Sequence, residues 1–187
     1  MADFAAARLN MVDSQVRTQD VTDVRLHDVM GALAREAFVS ADRTHLAYAD
    51  MEVEYAPGRW LLKPRDVAKL LQALRPMPGE RALAVSAPYV AAVMKALGLV
   101  VVEVEAGGDL PTGEFDIVVC EGAVADAPET WRSRVAIGGR LGVVERTGPV
   151  GKASLYVRAA DGMGRRELFD CFVPIMAGFE PKHSFAL

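Results

Sequence analysis

The sequence lacks the features that would place the protein in a membrane, on nucleic acid or outside the cell. No apolar run approaches the ~20 residues that span a bilayer. The net charge is −4, and no basic block stands out in the sequence. The first residues, Met1-Ala2-Asp3-Phe4, lack the basic and then apolar order of a signal peptide. We therefore expect a cytoplasmic protein with no membrane or nucleic-acid partner.

Cysteine and histidine are scarce, and neither forms a recognisable site. Cys120 and Cys171 lie far apart in apolar, strand-like runs, which favours buried free thiols over a disulfide or a catalytic thiol. His27, His45 and His183 are isolated from one another and show no metal-ligand spacing. We therefore expect no metal site.

The remaining composition is that of a globular protein. The chain has 187 residues, 51% of them hydrophobic, which suffices for one domain with a sizeable core. Residues 1–80 show helical spacing of apolar residues and are predicted to pack as a helical segment on the rest. Residues 81–187 alternate strand-like and helix-like segments, which predicts a mostly parallel sheet with helices on both faces.

The element boundaries follow from glycine, proline and apolar spacing. Pro64 and Pro88 stand where helices would begin. A further helix is predicted to start near residues 126–129 and to stop at Gly138-Gly139. A glycine-rich turn over 161–164 predicts a C-terminal antiparallel hairpin. The predicted strands of the parallel region are 81–86, 99–105, 115–120 and 140–145.

Several short segments, taken in their order along the chain, resemble one known family. The main ones are 11–18 (MVDSQVRT), 35–39 (REAFV), 57–59 (PGR), 115–119 (FDIVV) and 138–141 (GGRL). In this order and spacing they resemble bacterial members of the protein-L-isoaspartate O-methyltransferase family. The resemblance implies an α/β, Rossmann-like methyltransferase fold that binds S-adenosylmethionine. It also implies methyl transfer to the carboxylate of an isoaspartyl residue.

The segment that should hold the methyl donor departs from the family pattern. That pattern is a strand ending in Asp-Val-Gly, followed by a Gly-x-Gly turn. Glycine is needed in this turn because it adopts positive φ at low energetic cost and lets the backbone approach a ligand closely. Here Ala84 replaces the acid, and Ser86 and Ala87 replace glycines. Pro88 removes an N–H donor and fixes φ at a negative value. Residues 86–89, ending in Tyr89, are therefore predicted to be the remnant of a cofactor cleft.

The connection after the second strand of the parallel region is short. Glu105 stands where the family's ribose-binding acid would lie, and we interpret it as an exposed strand-end carboxylate. Only residues 106–114 separate it from the next strand, too few for a helix and a strand. The third strand and its helix are therefore predicted to be deleted. Glu121 follows near the same cleft and is interpreted as a polar loop residue.

These departures favour a non-catalytic pseudoenzyme that acts through protein interaction and has no catalytic residues and no bound cofactor. The alternative is an active, S-adenosylmethionine-dependent protein-L-isoaspartate O-methyltransferase with an atypical cofactor loop. A third hypothesis, an enzyme of another class that uses the same cleft, lacks a nucleophile–base pair in the sequence.

Deleting the third strand would leave strand 99–105 at the edge of the sheet. Its first half is apolar and β-branched, and no proline interrupts it; Glu103 and Glu105 protect only the second half. We expect this strand to bind a protein partner or a second copy of the chain, with a homodimer favoured, unless the chain itself covers it.

Overall fold

The computed structural model describes residues 3–181, which form one central sheet, a small hairpin and a layer of helices. The hairpin consists of β1 (Val53–Ala56) and β2 (Arg59–Leu61). The central sheet contains β3 (Arg81–Val85), β4 (Val100–Val104), β5 (Phe115–Val124), β6 (Val135–Glu145), β7 (Gly151–Ala159) and β8 (Gly162–Cys171).

The helices are short, and several begin at residues suited to that place. Asp3 caps the first helix by accepting a hydrogen bond from the amide of Ala6, and Pro64 and Pro88 occupy first helical positions. The α-helices are α1 (Phe4–Met11), α2 (Val24–Ala32), α3 (Pro64–Leu74), α4 (Pro88–Ala96) and α5 (Glu129–Arg132). None of the helices described within residues 3–181 is both long and apolar enough to cross a membrane.

The sheet has the order β4-β3-β5-β6-β7-β8. The first four strands in this order are parallel to their neighbours, and β7 and β8 are antiparallel additions. The mostly parallel sheet and the C-terminal hairpin predicted from the sequence are confirmed. The turn of this hairpin lies between Ala159 and Gly162.

The predicted loss of a strand is also confirmed. Residues 105–114, between β4 and β5, contain neither a helix nor a strand. Within the described part of the chain, β4 is therefore the edge of the sheet. The chain then crosses β3, and β5 pairs with β3 on the side opposite to β4.

Helices cover the two faces of the sheet unequally. This corrects the sequence-based prediction that helices would cover both faces. One face packs against α3 and α4, while α2 packs on these two helices and α1 packs on α2. The apolar residues of the segment before residue 81 share a single hydrophobic cluster with β3, β5 and α4. On the other face, the only helical residue in the cluster is Trp131 of the four-residue α5. Loop and C-terminal residues such as Ala127 and Met176 fill the remainder of that cluster.

The prediction of a helix ending at Gly138-Gly139 was wrong. Only α5 is helical there, and both glycines lie inside β6. The pairing with β5 joins Phe115 to Val135 but Ile117 to Arg140, so β6 contains a bulge at the glycines. Gly138 has φ +80°, which favours glycine over other residues, and so its role is to form a bulge rather than to end a helix.

Gly139 gives a test of this bulge. A Cβ atom there would lie 2.8 Å from the Ala136 carbonyl oxygen and 2.9 Å from that of Asp116. We expect Gly139→Ala to lower the free energy of unfolding by roughly 1–3 kcal/mol, since backbone atoms must move to make room. Urea denaturation would measure the change.

Gly164 in β8 is the matched control, because no atom lies within 4 Å of a Cβ placed on it. We expect Gly164→Ala to leave the urea midpoint nearly unchanged. Equal midpoints for the wild type and Gly139→Ala would contradict the described bulge.

Candidate functional site

The candidate site lies where the parallel strands end at their carboxyl side, which is where open α/β sheets bind ligands. Val85 of β3 is in register with Val104 of β4 and with Cys120 of β5. Ser86, Glu105 and Glu121, each following one of these residues, are therefore brought to one edge of the sheet. The remaining predicted cleft residues, Ala87, Pro88 and Tyr89, lead from β3 into α4.

Ser86 ties the loop after β3 to the loop after β4. Its amide donates to the carbonyl oxygen of Val104 at 2.8 Å, and its hydroxyl donates to Oε2 of Glu105 at 2.8 Å. The same hydroxyl oxygen accepts from the amide of Ala106 at 2.9 Å. Ser86 has φ +42°, so a serine holds a backbone conformation that glycine adopts at lower cost. The Ser86 side chain is buried, and its hydroxyl group both donates and accepts a hydrogen bond.

The β1–β2 hairpin adds a further link to these loops. From β2, Nη2 of Arg59 donates to the Ala106 carbonyl oxygen at 3.2 Å, and Nε lies 3.6 Å from Oε2 of Glu105. Glu105 follows β4 directly, and 72% of its side chain is exposed. Its carboxylate is thus shared between Ser86 and Arg59.

Glu121 is not the polar loop residue that was predicted, because it lies within β5 and is fully buried. Its Oε1 accepts from the Leu62 amide at 3.2 Å and its Oε2 from the Val90 amide at 3.3 Å. Val90 is in the first turn of α4, where amides have no partner within the helix and the helix dipole favours an anion. The chain itself therefore supplies the anion at this helix end.

Burial and charge determine the protonation of this group. Burial raises the pKa of Glu121 to about 7, against the opposing effects of the Arg35 guanidinium and the amide hydrogen bonds. Arg35 is also fully buried and donates to the carbonyl oxygens of Ala47 at 2.8 Å and Leu62 at 2.6 Å. Arg35 and Glu121 are therefore two buried ionisable groups that both bind the Leu62 backbone.

Two further residues of this network were missed by the sequence analysis. Arg35 lies 4.5 Å from the centroid of the Tyr89 ring, in cation–π geometry, and burial raises the pKa of Tyr89 to about 12. Burial and the charge of Glu105 raise the pKa of Tyr55 in β1 above its usual range. Arg35 stands in the segment 35–39 noted above, whereas Tyr55 was missed because its strand lies within residues 1–80, which were predicted to be helical.

The cysteines and histidines were the other candidate groups in the sequence. Cys120 and Cys171 are free and buried, as predicted. Nε2 of His27 lies 2.8 Å from the Val21 carbonyl oxygen, and His183 falls outside the described residues. Cys120 pairs with Val85 at the carboxyl end of β3 and directly precedes Glu121, and burial raises the pKa of its thiol.

One acidic cluster has ligand atoms close enough to hold a metal ion. Glu52, Asp66 and Cys171 place one such atom each within 4.8 Å of one another. However, Lys63 lies 3.8 Å from Glu52, and Arg65 lies 3.7 Å from Asp66. These two cations already balance the two carboxylates.

Known proteins resemble the chain along most of its length. No protein-family model matches it. The protein-L-isoaspartate O-methyltransferase of Methylorubrum populi is 32% identical over 92% of this chain and 96% of the relative. That of Koribacter versatilis is 30% identical over 95% of each. The chain belongs to the protein-L-isoaspartate O-methyltransferase family. The first alignment has 206 positions, more than the 187 residues of this chain, so the relative has segments absent here.

Solved structures confirm the fold expected for this family. A Plasmodium falciparum chain described as a protein-L-isoaspartate O-methyltransferase, in complex with S-adenosyl-L-homocysteine, superposes with a TM-score of 0.73. It is 17% identical and covers 90% of this chain. A second protein-L-isoaspartate O-methyltransferase gives a TM-score of 0.74 at 19% identity. The Rossmann-like methyltransferase fold is thus shared despite low identity.

Three features of this protein-L-isoaspartate O-methyltransferase homologue bear on the cofactor that its family implies. Ser86, Ala87 and Tyr89 are at most 3% exposed, and Pro88 is the partly exposed residue of the loop after β3. The Glu121 carboxyl group accepts a hydrogen bond from the Val90 amide in the first turn of α4, so this amide is not free to bind a ligand carboxylate. Past Glu105 the sheet has no third strand to build one wall of an adenine pocket.

The raised pKa of Glu121 predicts how stability depends on pH. Between its ordinary value of 4.5 and its folded value of about 7, the unfolded chain has released a proton that the folded protein still holds. The free energy of unfolding should therefore fall as pH rises through this window, by up to about 1.4 kcal/mol per pH unit from this group. Glu121→Gln should remove this component of the slope.

Urea denaturation of the wild type and of Glu121→Gln between pH 4.5 and 7 would measure this slope. The readout is the difference in the free energy of unfolding between the two proteins. A difference that stays constant across the window would contradict the burial of an ionisable Glu121.

Proposed function

We propose that this chain is a non-catalytic member of its family, which uses the methyltransferase scaffold to bind protein rather than to transfer a methyl group. The observation that carries the proposal is the closure of the cofactor loop by the chain's own side chains. Ser86 is hydrogen-bonded to Glu105 and to Ala106 at 2.8–2.9 Å, in the place where the family pattern has glycine.

Closure of this loop is energetically costly to reverse. A ligand would have to break both hydrogen bonds of the Ser86 hydroxyl and displace the Glu121 carboxylate from Val90. Leaving such buried groups without partners costs roughly 1–3 kcal/mol each. A micromolar affinity corresponds to only about 8 kcal/mol, so a few such losses weaken binding to the millimolar range.

The second candidate function is an active S-adenosylmethionine-dependent methyltransferase. It is favoured by the names of the curated relatives, at 30–32% identity over nearly the whole chain. Under this alternative, the loop of residues 86–89 opens to admit the cofactor, and the Glu121 carboxyl group gives up its hydrogen bond from Val90 in α4. The two functions therefore differ in whether the ligand binds at all.

Calorimetric titration of S-adenosylmethionine and S-adenosyl-L-homocysteine into the protein separates the two functions. We expect no saturable heat with ligand at millimolar concentration, because the loop is closed and the adenine wall is absent. The Methylorubrum populi relative, titrated in the same buffer, is the control for ligand quality. Tens-of-micromolar affinity in the wild type would overturn the proposal.

A further inference from the structure

We propose that the protein forms a two-fold symmetric homodimer in which β4 of each subunit pairs antiparallel with β4 of the other. The pairing would join the two sheets into one continuous sheet of twelve strands, twice the six described here. This proposal rests on the edge strand alone, and it is independent of whether the chain binds S-adenosylmethionine.

The outward hydrogen-bonding groups of β4 can be identified from its bonds to β3. The Val100 amide donates to the carbonyl oxygen of Glu80 at 2.9 Å, and the Val104 carbonyl accepts from the amide of Ser86 at 2.8 Å. Because successive residues in a strand point their backbone groups to opposite sides, Val101 and Glu103 direct theirs away from the sheet. Within residues 3–181, no backbone hydrogen bond outside the helices and strands reaches either residue.

The apolar side chains at this edge are incompletely covered. Val100 is 60% exposed, and Val102 and Val104 are only partly buried against the thinly covered face of the sheet. On the opposite face, Val101 is partly buried beside α4. Such an edge, which contains no proline and pairs with no further strand within residues 3–181, favours pairing with another strand.

One register satisfies both the backbone and the side chains. If the two-fold axis passes beside Val102, then Val101 lies opposite the partner subunit's Glu103, and these residues exchange hydrogen bonds on both sides of the axis. On the thinly covered face, the exposed Val100 then lies opposite the partner subunit's Val104. The result is a continuous row of valines across the interface.

Charge disfavours the neighbouring register that is centred on Glu103. An axis beside Glu103 would place two glutamates directly opposite each other, and like charges in that position are destabilising. In the register centred on Val102, each Glu103 instead faces a valine. Lys95 of the same chain forms an ion pair with Glu103 and compensates its charge. The edge is therefore self-complementary, and this identifies a second copy of the chain as its partner.

A proline substitution tests the backbone pairing directly. Val101→Pro removes an outward N–H donor but none of the bonds between β4 and β3, since proline is tolerated where the amide faces solvent. Light scattering should give the wild type twice the 20.1 kDa mass of one chain and give Val101→Pro the mass of one chain. Val101→Thr, which keeps the amide and the β-branched shape, is the matched control and should remain dimeric.

A cysteine cross-link tests the register without depending on the proline variant. Val102 faces its own copy across the axis in a non-hydrogen-bonded pair, with Cα atoms about 4.5 Å apart, which a disulfide can span. Val102→Cys should therefore form a covalent dimer on mild oxidation. Val100→Cys should not, because the two copies of residue 100 would lie about 13 Å or more apart. The native cysteines are buried and should not interfere.

A wild type with the mass of one chain at micromolar concentration would overturn the proposal. So would a dimer that survives Val101→Pro and fails to cross-link through Val102→Cys. These outcomes are separate from those of the cofactor titration. A dimer that binds S-adenosylmethionine would defeat only the proposed loss of catalysis, and a monomer that does not bind it would defeat only the dimer.

Discussion

The buried carboxylate of Glu121 joins three parts of the chain that are distant in sequence. It lies on β5, and it accepts hydrogen bonds from Leu62 at the end of the β1–β2 hairpin and from Val90 at the start of α4. Arg35, from the helical segment before the hairpin, donates to the carbonyl oxygen of Leu62 and contributes the compensating positive charge. These hydrogen bonds between protein groups hold the carboxyl end of the sheet to the hairpin and to α4. In a ligand-binding Rossmann-like fold, the first turn of the corresponding helix would face the ligand.

Loss of the third strand affects the fold and the surface in different ways. Inside the fold, the shared hydrophobic cluster of helices and sheet is large enough to hold the reduced sheet together without that strand. At the surface, the loss leaves β4 as an edge with Val100 exposed and with the backbone groups of Val101 and Glu103 directed outward. The deletion that removes the adenine wall is thus the same one that creates the candidate interaction surface.

The sequence predicts the fold better than it predicts the site. Strand and helix order, the C-terminal hairpin and the missing strand follow from apolar spacing and from the length of residues 106–114. The helix expected to end at Gly138 failed because the same two glycines that end helices also form bulges in strands. Glu121 was misplaced because a carboxylate in an apolar run looks like the start of a loop. Only the fold brings Leu62, Val90 and Arg35 around it, and no local pattern encodes contacts between residues so far apart.

The most direct test of the closed site is the amide signal of Val90 in a nitrogen–proton correlation spectrum. If Glu121 accepts from this amide in solution, the signals of Val90 and Leu62 should shift together as the pH is raised through about 7, with the same midpoint. At neutral pH, the same two signals should stay in place when S-adenosyl-L-homocysteine is added to millimolar concentration. Saturable shifts of Val90 with ligand, together with no response to pH, would contradict the account.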